Sequence, residues 1–362
     1  MFSLKARADR LRKVMELIKA DACIVKSEQS RRYLTGIDTA EGVVVITRVG
    51  NRYFLVDRRY EEFATRRLSP QGFTVRTVGR HSEYAIFINE IIQSDKISVA
   101  LLESNAISHE DYLELENALY AKIIPLKSQL DKLRMVKDLE EVENIKTAQR
   151  ISEKSFEDLL PFIKPGVTEK QVQAKLVQLM LENGSDLAKF HITCVSGANT
   201  SLINGRATDK KIESGDALML EFGAVYNGYR SDMARTLVVG KADEEFKKAY
   251  RIVQDACVIG RLYIKKGVSG QAADGEIRRY IEENGYRDYF RHSLGHGIGV
   301  QLAEAPYLSS DSKDILTAGN VVTLEPGIYI KGKFGIRIED LLYISASGTE
   351  NLTRTTRDLI EL

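Results

Sequence analysis

Apolar residues in the first part of the chain recur first at helical spacing and then in short continuous runs. The helical spacing covers residues 4–18, which predicts an opening helix. The run at 22–25 predicts a buried strand, and the runs at 42–47 and 53–56 predict two strands joined by a turn at Gly50-Asn51. Helical patterns near 81–93 and 108–120 flank an apolar strand near 97–102. The first 130 residues are therefore expected to form an α/β domain with a mixed sheet.

The pattern changes after a boundary near 126–135. A helical stretch from about 138 to 163 ends at Lys164-Pro165-Gly166, and Thr168 is a candidate N-cap for a helix that runs to Asn183-Gly184. Two more helices are expected near 243–266 and 270–284, and the last 75 residues are rich in strand patterns. Residues 131–362 are therefore predicted to form an α+β domain.

A β-hairpin is predicted at residues 217–239. Asn227-Gly228 between two strand patterns is typical of a two-residue type I′ turn. If residue 226 pairs with 229, Glu221 lies opposite Ala234 and on the same face as Asp232. The two carboxylates could then converge, although two strand acids can also simply face solvent.

Composition and charge exclude several classes of protein. Lysine and arginine number 52 and aspartate and glutamate 51, so the net charge is +1 and neither nucleic acid nor a membrane surface is an expected partner. No run of eighteen apolar residues is present. Three scattered cysteines give no disulfide framework, which favours a reducing compartment and hence a cytoplasmic location.

The five histidines include two in one short segment, His292 and His296. Spacing of four would place them on one helix face, but glycines at 295, 297 and 299 argue against a helix. The segment is expected to be a tight strand or loop, with backbone close to its neighbours. The two imidazoles are therefore not assigned to the same metal ion. Each histidine could be a packed, hydrogen-bonding residue rather than a metal ligand.

Two further acids follow apolar strand patterns. Glu325 ends the run 322–324, and the proline after it favours an extended backbone at Glu325. Alternation in 335–343 places Arg337 and Glu339 on one face of a strand. Taken singly, each acid could be exposed or form a simple Arg–Glu pair.

Four carboxylates and one imidazole cannot gather without a cation, because like charges raise one another's pKa values. One or two divalent ions would neutralise them. A carboxylate-rich set with one histidine suits manganese, cobalt, iron or zinc. This convergence is a hypothesis about the fold.

These segments, in this order, resemble the pita-bread metallopeptidases, the superfamily of prolidase (Xaa-Pro dipeptidase), aminopeptidase P, methionine aminopeptidase and creatinase. Three further runs are similar to bacterial prolidase-like sequences, and Tyr33-Leu34-Thr35-Gly36 is similar to the creatinase-type N-terminal domain. Those runs are 195–197, 211–216 and 304–306. The resemblance covers nearly the whole chain, with a creatinase-like domain at 1–130 and a pita-bread domain at 131–362.

The resemblance implies a metal-dependent hydrolysis of the bond between an N-terminal residue and proline in short peptides, by a homodimer that binds up to two ions, with manganese favoured. The family's metal ligands fall on Glu221, Asp232, His296, Glu325 and Glu339. Within the same resemblance, Glu325 shuttles a proton, His292 takes part in catalysis and substrate binding, and Arg337 orients the ligating carboxylates and contacts the substrate.

Three positions depart from the family pattern. Glu221 stands where the family has aspartate. Ala303 and Asn204 stand where the family has histidines, and Asn204 is expected to contact the substrate. Asn204 can donate a hydrogen bond to the developing anion but cannot become an imidazolium, and Ala303 can do neither, so peptidase activity is expected to be altered or reduced, unless His191 compensates. The alternatives are a family member that binds peptide or metal without efficient hydrolysis, and a creatinase-like enzyme acting on a small non-peptide substrate. The latter is disfavoured because all five ligand positions remain acidic or histidine.

Overall fold

The structure is a computed structural model that describes residues 4–80, 83–186 and 192–362. The chain divides into two compact units, of which the first ends at Arg134 and the second spans Met135–Leu362. None of the helices in the described part of the chain is long and apolar enough to cross a membrane. Each unit has its own hydrophobic clusters.

The first unit is a six-stranded sheet with helices on both faces. Its helices are α1 (Leu4–Ile18), α2 (Glu28–Thr35), α3 (Glu61–Leu68), α4 (Glu83–Ser94), α5 (His109–Ala118) and α6 (Gln129–Met135). Its strands are β1 (Ala22–Val25), β2 (Val43–Thr47), β3 (Arg52–Asp57), β4 (Thr74–Val78), β5 (Val99–Leu102) and β6 (Lys122–Pro125).

The sheet order is β4-β3-β2-β1-β5-β6. β2 is antiparallel to both of its neighbours, whereas the pairs β3–β4, β1–β5 and β5–β6 are parallel. The predicted α/β unit with a mixed sheet is therefore confirmed. The predicted elements correspond to α1, β1, β2, β3, α4, β5 and α5, while α2, α3, β4, β6 and α6 were not predicted. His81 lies outside the described residues.

In its described residues, the second unit combines four α-helices with strands that form sheets of two, three, five and two strands. The helices are α7 (Leu139–Leu159), α8 (Glu169–Glu182), α9 (Glu244–Tyr263) and α10 (Gly270–Ile281). The strands are β7 (Thr193–Ser196), β8 (Ala217–Phe222), β9 (Val225–Tyr226), β10 (Tyr229–Arg230), β11 (Met233–Val238), β12 (Gly295–Gly297), β13 (Glu304–Leu308), β14 (Val321–Leu324), β15 (Gly327–Ile330), β16 (Phe334–Arg337), β17 (Asp340–Ile344) and β18 (Thr349–Asn351).

Local signals account for where these helices begin. Thr168 caps α8 as predicted: its side chain accepts the Gln171 N–H, and the Gln171 side chain accepts the Thr168 N–H. Asp138 and Glu141 form the same reciprocal capping box at α7. The predicted α+β arrangement, with helices and strands in separate blocks, is confirmed.

The hairpin register agrees with the prediction. Tyr226 pairs with Tyr229, and Glu221 pairs with Ala234. Asn227 and Gly228 have φ values of 47° and 70°, as a type I′ turn requires. The ladder is interrupted beside Asp232, which separates β10 from β11, but the register is the same on both sides of the interruption.

The core of the second unit fixes the direction of the site residues. Ile336 and Ile338 belong to one buried cluster with Val322 and Leu324 of β14. Because neighbouring residues on an extended chain point to opposite sides, Arg337 is turned away from that cluster. The predicted alternation around Arg337 is thus present in the structure.

Candidate metal centre

Four acidic residues reach the centre of the second unit from strands or strand ends. Glu221 lies in β8, Asp232 directly precedes β11, Glu325 directly follows β14, and Glu339 directly precedes β17. Carboxylate oxygens of Glu221, Glu325 and Glu339 lie within 4.8 Å of one another. Backbone pairing supports this approach, since the Glu339 N–H donates to the Ala234 carbonyl at 3.0 Å.

The other two predicted ligands lie beside this group. Asp232 is 3% exposed and its charge interacts with those of Glu221 and Glu325. The Nε2 atom of His296 lies 3.5 Å from Oε1 of Glu325. All five predicted ligands are therefore neighbours, although only three of them offer oxygens within a single 4.8 Å group.

Burial makes the charged forms of these acids costly. Burial is the main cause that raises the pKa values of Asp232, Glu325 and Glu339, and the neighbouring carboxylates raise the pKa values of Asp232 and Glu339 further. Arg337 acts in the opposite direction on all three. Without another positive charge, burial and mutual repulsion therefore disfavour the ionised forms of Asp232, Glu325 and Glu339.

Some carboxylate oxygens of the centre have no hydrogen-bond partner among the described residues, which bears on whether a cation fits there. Oδ1 of Asp232 and both carboxylate oxygens of Glu339 are buried and accept no hydrogen bond from any described residue. A buried carboxylate normally needs such a partner. Hard oxygen donors of this kind are the ligands that divalent cations prefer. The residues present therefore fit a divalent cation.

The tautomer of His296 is consistent with the same role. Its Nδ1 lies 3.0 Å from the Gly297 carbonyl oxygen and donates a proton to it, which leaves the Nε2 lone pair directed at the carboxylates. The strand β12 that carries His296 requires its glycines: a Cβ on Gly295 would overlap the Thr323 carbonyl, and one on Gly297 would overlap the Ala305 carbonyl. The predicted strand with closely packed backbone is confirmed.

Arg337 is the positive charge that the structure itself supplies. It is 2% exposed and forms an ion pair with Oε2 of Glu221. The same oxygen accepts a hydrogen bond from Thr193 Oγ1 at 3.1 Å, while Arg337 Nη2 donates to the Ile203 carbonyl at 3.2 Å. One oxygen of Glu221 is therefore fully engaged, which leaves Oε1 for a cation.

His292 is held as a neutral ring. The Arg337 Nε–H donates to the Tyr329 hydroxyl at 2.6 Å, the hydroxyl donates to His292 Nε2 at 3.0 Å, and His292 Nδ1 donates to the Ser293 carbonyl at 2.8 Å. Burial, together with the charge of Arg337, lowers the pKa of His292 to about 3. Both ring nitrogens are thus engaged in this structure.

Two of the three positions that depart from the family pattern, Asn204 and Ala303, are exposed, whereas the third, Glu221, belongs to the group of carboxylates. Asn204 is exposed and follows Ile203, whose carbonyl binds Arg337. Ala303 is exposed and precedes the buried Glu304 at the start of β13. His191, considered as a substitute for the missing histidines, lies outside the described residues.

Three residues of the centre were not predicted: Tyr329, Thr193 and Thr323. The Thr323 hydroxyl donates to Glu325 Oε1 at 3.0 Å and accepts the His296 N–H at 2.9 Å. Thr193 reaches Glu221 because β7 pairs with β8. The sequence gives a signal for Thr323, because its hydroxyl lies only two residues before Glu325. It gives no signal for Thr193, because no short turn indicates that β7 pairs with β8.

The sequence matches two families along most of its length. Residues 143–346 match Metallopeptidase family M24, and residues 7–136 match the Creatinase/Prolidase N-terminal domain. A Bacillus subtilis protein named as peptidase YqhT is 36% identical over 98% of this chain and all of its own length. The Xaa-Pro dipeptidase of Pyrococcus furiosus is 40% identical over 63% of this chain and 66% of its own length.

Solved structures show the same relationship. An Xaa-Pro dipeptidase from Bacillus anthracis superposes with a TM-score of 0.94 at 35% identity, covering 99% of this chain and 100% of that one. The prolidase from Pyrococcus horikoshii superposes with a TM-score of 0.89 at 30% identity, covering 98% and 100%. The chain belongs to metallopeptidase family M24 and combines its pita-bread domain with a creatinase-like N-terminal domain.

Proposed function

We propose that this protein hydrolyses Xaa-Pro peptide bonds in a metal-dependent reaction, with altered or reduced activity. The observation that carries the proposal is the group formed by the partly buried Glu221 and the buried Glu325 and Glu339, whose oxygens lie within 4.8 Å of one another. The unpartnered oxygens of Asp232 and Glu339 add to it, since they need a cation in place of hydrogen-bond donors.

We assign Glu221, Asp232, His296, Glu325 and Glu339 as the residues that hold the metal. Up to two ions, with manganese favoured among manganese, cobalt, iron and zinc, suit these donors. When bound, such an ion supplies Lewis-acid polarisation of the peptide carbonyl.

The chain's own groups would hold and move the proton. Glu325 is buried, its pKa is raised mainly by that burial, and the Thr323 hydroxyl fixes its Oε1 at 3.0 Å. A carboxylate whose pKa is raised takes up a proton more readily and can return it later in the reaction. Arg337 would hold Glu221 in place, and His292, Arg337 and Asn204 would face the peptide.

Reduced activity follows from the two imidazoles that this chain lacks. Asn204 can donate a hydrogen bond but cannot become an imidazolium, and Ala303 can do neither. Loss of one preorganised donor costs on the order of 10²–10³ in rate.

A second function is favoured by one observation, namely that both ring nitrogens of His292 are already engaged. On this alternative the protein binds peptide or metal without efficient hydrolysis.

We also propose the domain boundaries, the substrates, the assembly and the location of the protein. Residues 1–130 and 131–362 are the two proposed domains, short peptides with proline at the second position are the proposed substrates, and the proposed assembly is a homodimer. A cytoplasmic location is supported by Cys23, Cys194 and Cys257, which are buried free thiols of the kind that a reducing compartment preserves.

The test is cleavage of a series of Xaa-Pro dipeptides by the full chain, followed as released proline. Manganese-loaded protein should cleave, whereas EDTA-treated protein and the manganese-loaded Glu325→Gln variant should not. Equal rates for wild type and Glu325→Gln would reject the proposal. Manganese and dipeptide binding without cleavage would favour the second function.

A further inference from the structure

The first unit contains a cavity that the proposed hydrolysis does not use. Its volume is about 280 Å³, just below the range of roughly 300–1,000 Å³ typical of pockets for drug-sized ligands. Its lining includes two cationic residues, Lys26 and Arg31, and two acidic residues, Glu41 and Asp111. The size and the mixed charge together suit a small polar metabolite.

The cavity lies where α/β sheets commonly bind ligands. Strands β1 and β5 are parallel neighbours, and the cavity is lined by segments that follow their carboxyl ends, including Lys26 after β1 and Ile107 after β5. From β1 the chain continues to β2 on one side, and from β5 it continues to β6 on the other. Such a reversal opens a crevice at the carboxyl ends of the two strands.

A buried guanidinium in this lining has an unused donor. Arg31 is 4% exposed, and its Nη atoms donate to the carbonyls of Lys26 and Thr39. Its Nε–H has no hydrogen-bond partner among the described residues. The side chain is therefore fixed by the backbone and retains hydrogen-bonding capacity, which a buried donor normally satisfies.

The acids offset this positive charge from two directions. Lys26 forms an ion pair with Asp111, and Glu41, which is exposed at the rim, interacts electrostatically with Arg31. A ligand with a single negative charge would compete with these acids for the cations and leave the acids without compensation. A ligand with both charges at short separation could bind to both.

A simple anion is disfavoured because the site next to the cavity already holds one. The carboxylate of Glu103 accepts the Ser27 N–H at 2.7 Å and the hydroxyls of Ser27 and Ser30 at 2.7 and 2.6 Å. It thus neutralises the positive end of α2, which would otherwise attract a phosphate.

We propose that this cavity binds a free zwitterionic amino acid. Its carboxylate would lie against Arg31 and Lys26, and its ammonium against Glu41 and Asp111. The apolar side chain of Ile107 would contact the ligand's own side chain.

The test is calorimetric titration of the full chain with proline, leucine, lysine and glutamate, and with their N-acetyl amides, which lack the charges of the α-amino and α-carboxyl groups. At least one free amino acid should bind, with its amide at least about tenfold weaker. Glu41→Gln should weaken binding by about tenfold or more, whereas Glu62→Gln, on an exposed acid of α3, should not. Binding of the amides or of inorganic phosphate as tightly as the free amino acids would overturn the proposal.

A second variant tests the cavity without altering its charges. Ala106 lines the cavity, and Ala106→Phe should fill it and abolish binding while the thermal unfolding midpoint stays near that of wild type. The proposal does not depend on the hydrolytic function, so EDTA-treated protein and Glu339→Gln should bind the amino acid as wild type does. Loss of amino-acid binding in either sample would place the ligand at the metal centre and overturn the proposal. Unchanged affinity in Ala106→Phe would also overturn it.

Discussion

The Nε2 atom of His296 lies 3.5 Å from Oε1 of Glu325, and both are acceptors when the ring is neutral and the carboxylate is ionised. The other ring nitrogen is committed to the Gly297 carbonyl. A positive charge must therefore lie between the two atoms, as a proton or as a metal ion. The unpartnered oxygens of Glu339 and Asp232 favour the metal.

Metal binding should stabilise the protein, and Glu339→Gln should abolish this effect. At a metal concentration of about 100 times Kd, the gain of about 2.7 kcal/mol should raise Tm by about 5 °C or more. Without metal, Glu339→Gln should melt above wild type, because burial and the neighbouring carboxylates penalise the ionised form of Glu339, and the neutral glutamine has no such form. Differential scanning fluorimetry with manganese or EDTA measures both effects, with the exposed Glu182→Gln as control. A full manganese shift in Glu339→Gln would contradict the assignment of Glu339.

Gly295→Ala should destabilise the second unit by about 2 kcal/mol or more, because the new Cβ would overlap the Thr323 carbonyl and displace the strand that carries His296. Gly275→Ala is the matched control, since no atom lies within 4 Å of its added Cβ and Gly275 lies inside helix α10. That control should be neutral or slightly stabilising. Urea unfolding measures both changes, and equal stabilities for the two variants would argue against the close packing of β12.

His292 should make stability fall as the solution becomes acidic. Its pKa is about 3 in the folded protein and about 6.5 when unfolded, so between these values the unfolded chain binds the extra proton. The contribution of the neutral His292 ring to the free energy of unfolding is complete above pH 6.5 and decreases as the pH falls towards 3. His292→Gln should therefore reduce the slope of the unfolding free energy between pH 5 and 6 by up to about 1.4 kcal/mol per pH unit.

Urea titrations at several pH values provide this slope. The exposed histidine of α5 gives the control His109→Gln, which should keep the wild-type slope. If His292→Gln also kept the wild-type dependence of the unfolding free energy on pH, the His292 ring would not be held neutral in the folded protein.

Restoring the family residues should raise Xaa-Pro cleavage. The triple variant Glu221→Asp, Asn204→His, Ala303→His regains two imidazoles and the shorter acid, so a gain of at least about 100-fold in kcat/KM is expected. The comparison is made on one dipeptide with equal manganese loading. Wild type that already cleaves as fast as the triple variant would show that these positions do not limit the reaction.

Local signals in the sequence predicted much of what forms the centre. Asn227-Gly228 defined a turn, and the turn defined the register that places Glu221 opposite Ala234. The glycines around His296 excluded a helix, and the structure has β12 there. In each case residues a few positions apart determine the local backbone, so the sequence is sufficient.

Contacts between distant segments were not predictable in this way. The chain of hydrogen bonds from Arg337 through Tyr329 to His292 joins a strand to a loop about 40 residues before it, and depends on how β15 and β16 pack against that loop. The amino-acid cavity depends likewise on β1 lying beside β5, which no short turn dictates. Register and packing between remote segments follow from the whole core rather than from a local pattern.

The group formed by Glu221, Glu325 and Glu339 should bind a divalent metal ion. The measurement is elemental analysis of the full chain, reconstituted with manganese and freed of loosely bound ions. We expect bound metal at fewer than two ions per chain, because Glu221 shares its charge with Arg337. We expect none in a variant that carries both Glu325→Gln and Glu339→Gln. Wild-type protein that retains no metal after reconstitution would contradict the claim.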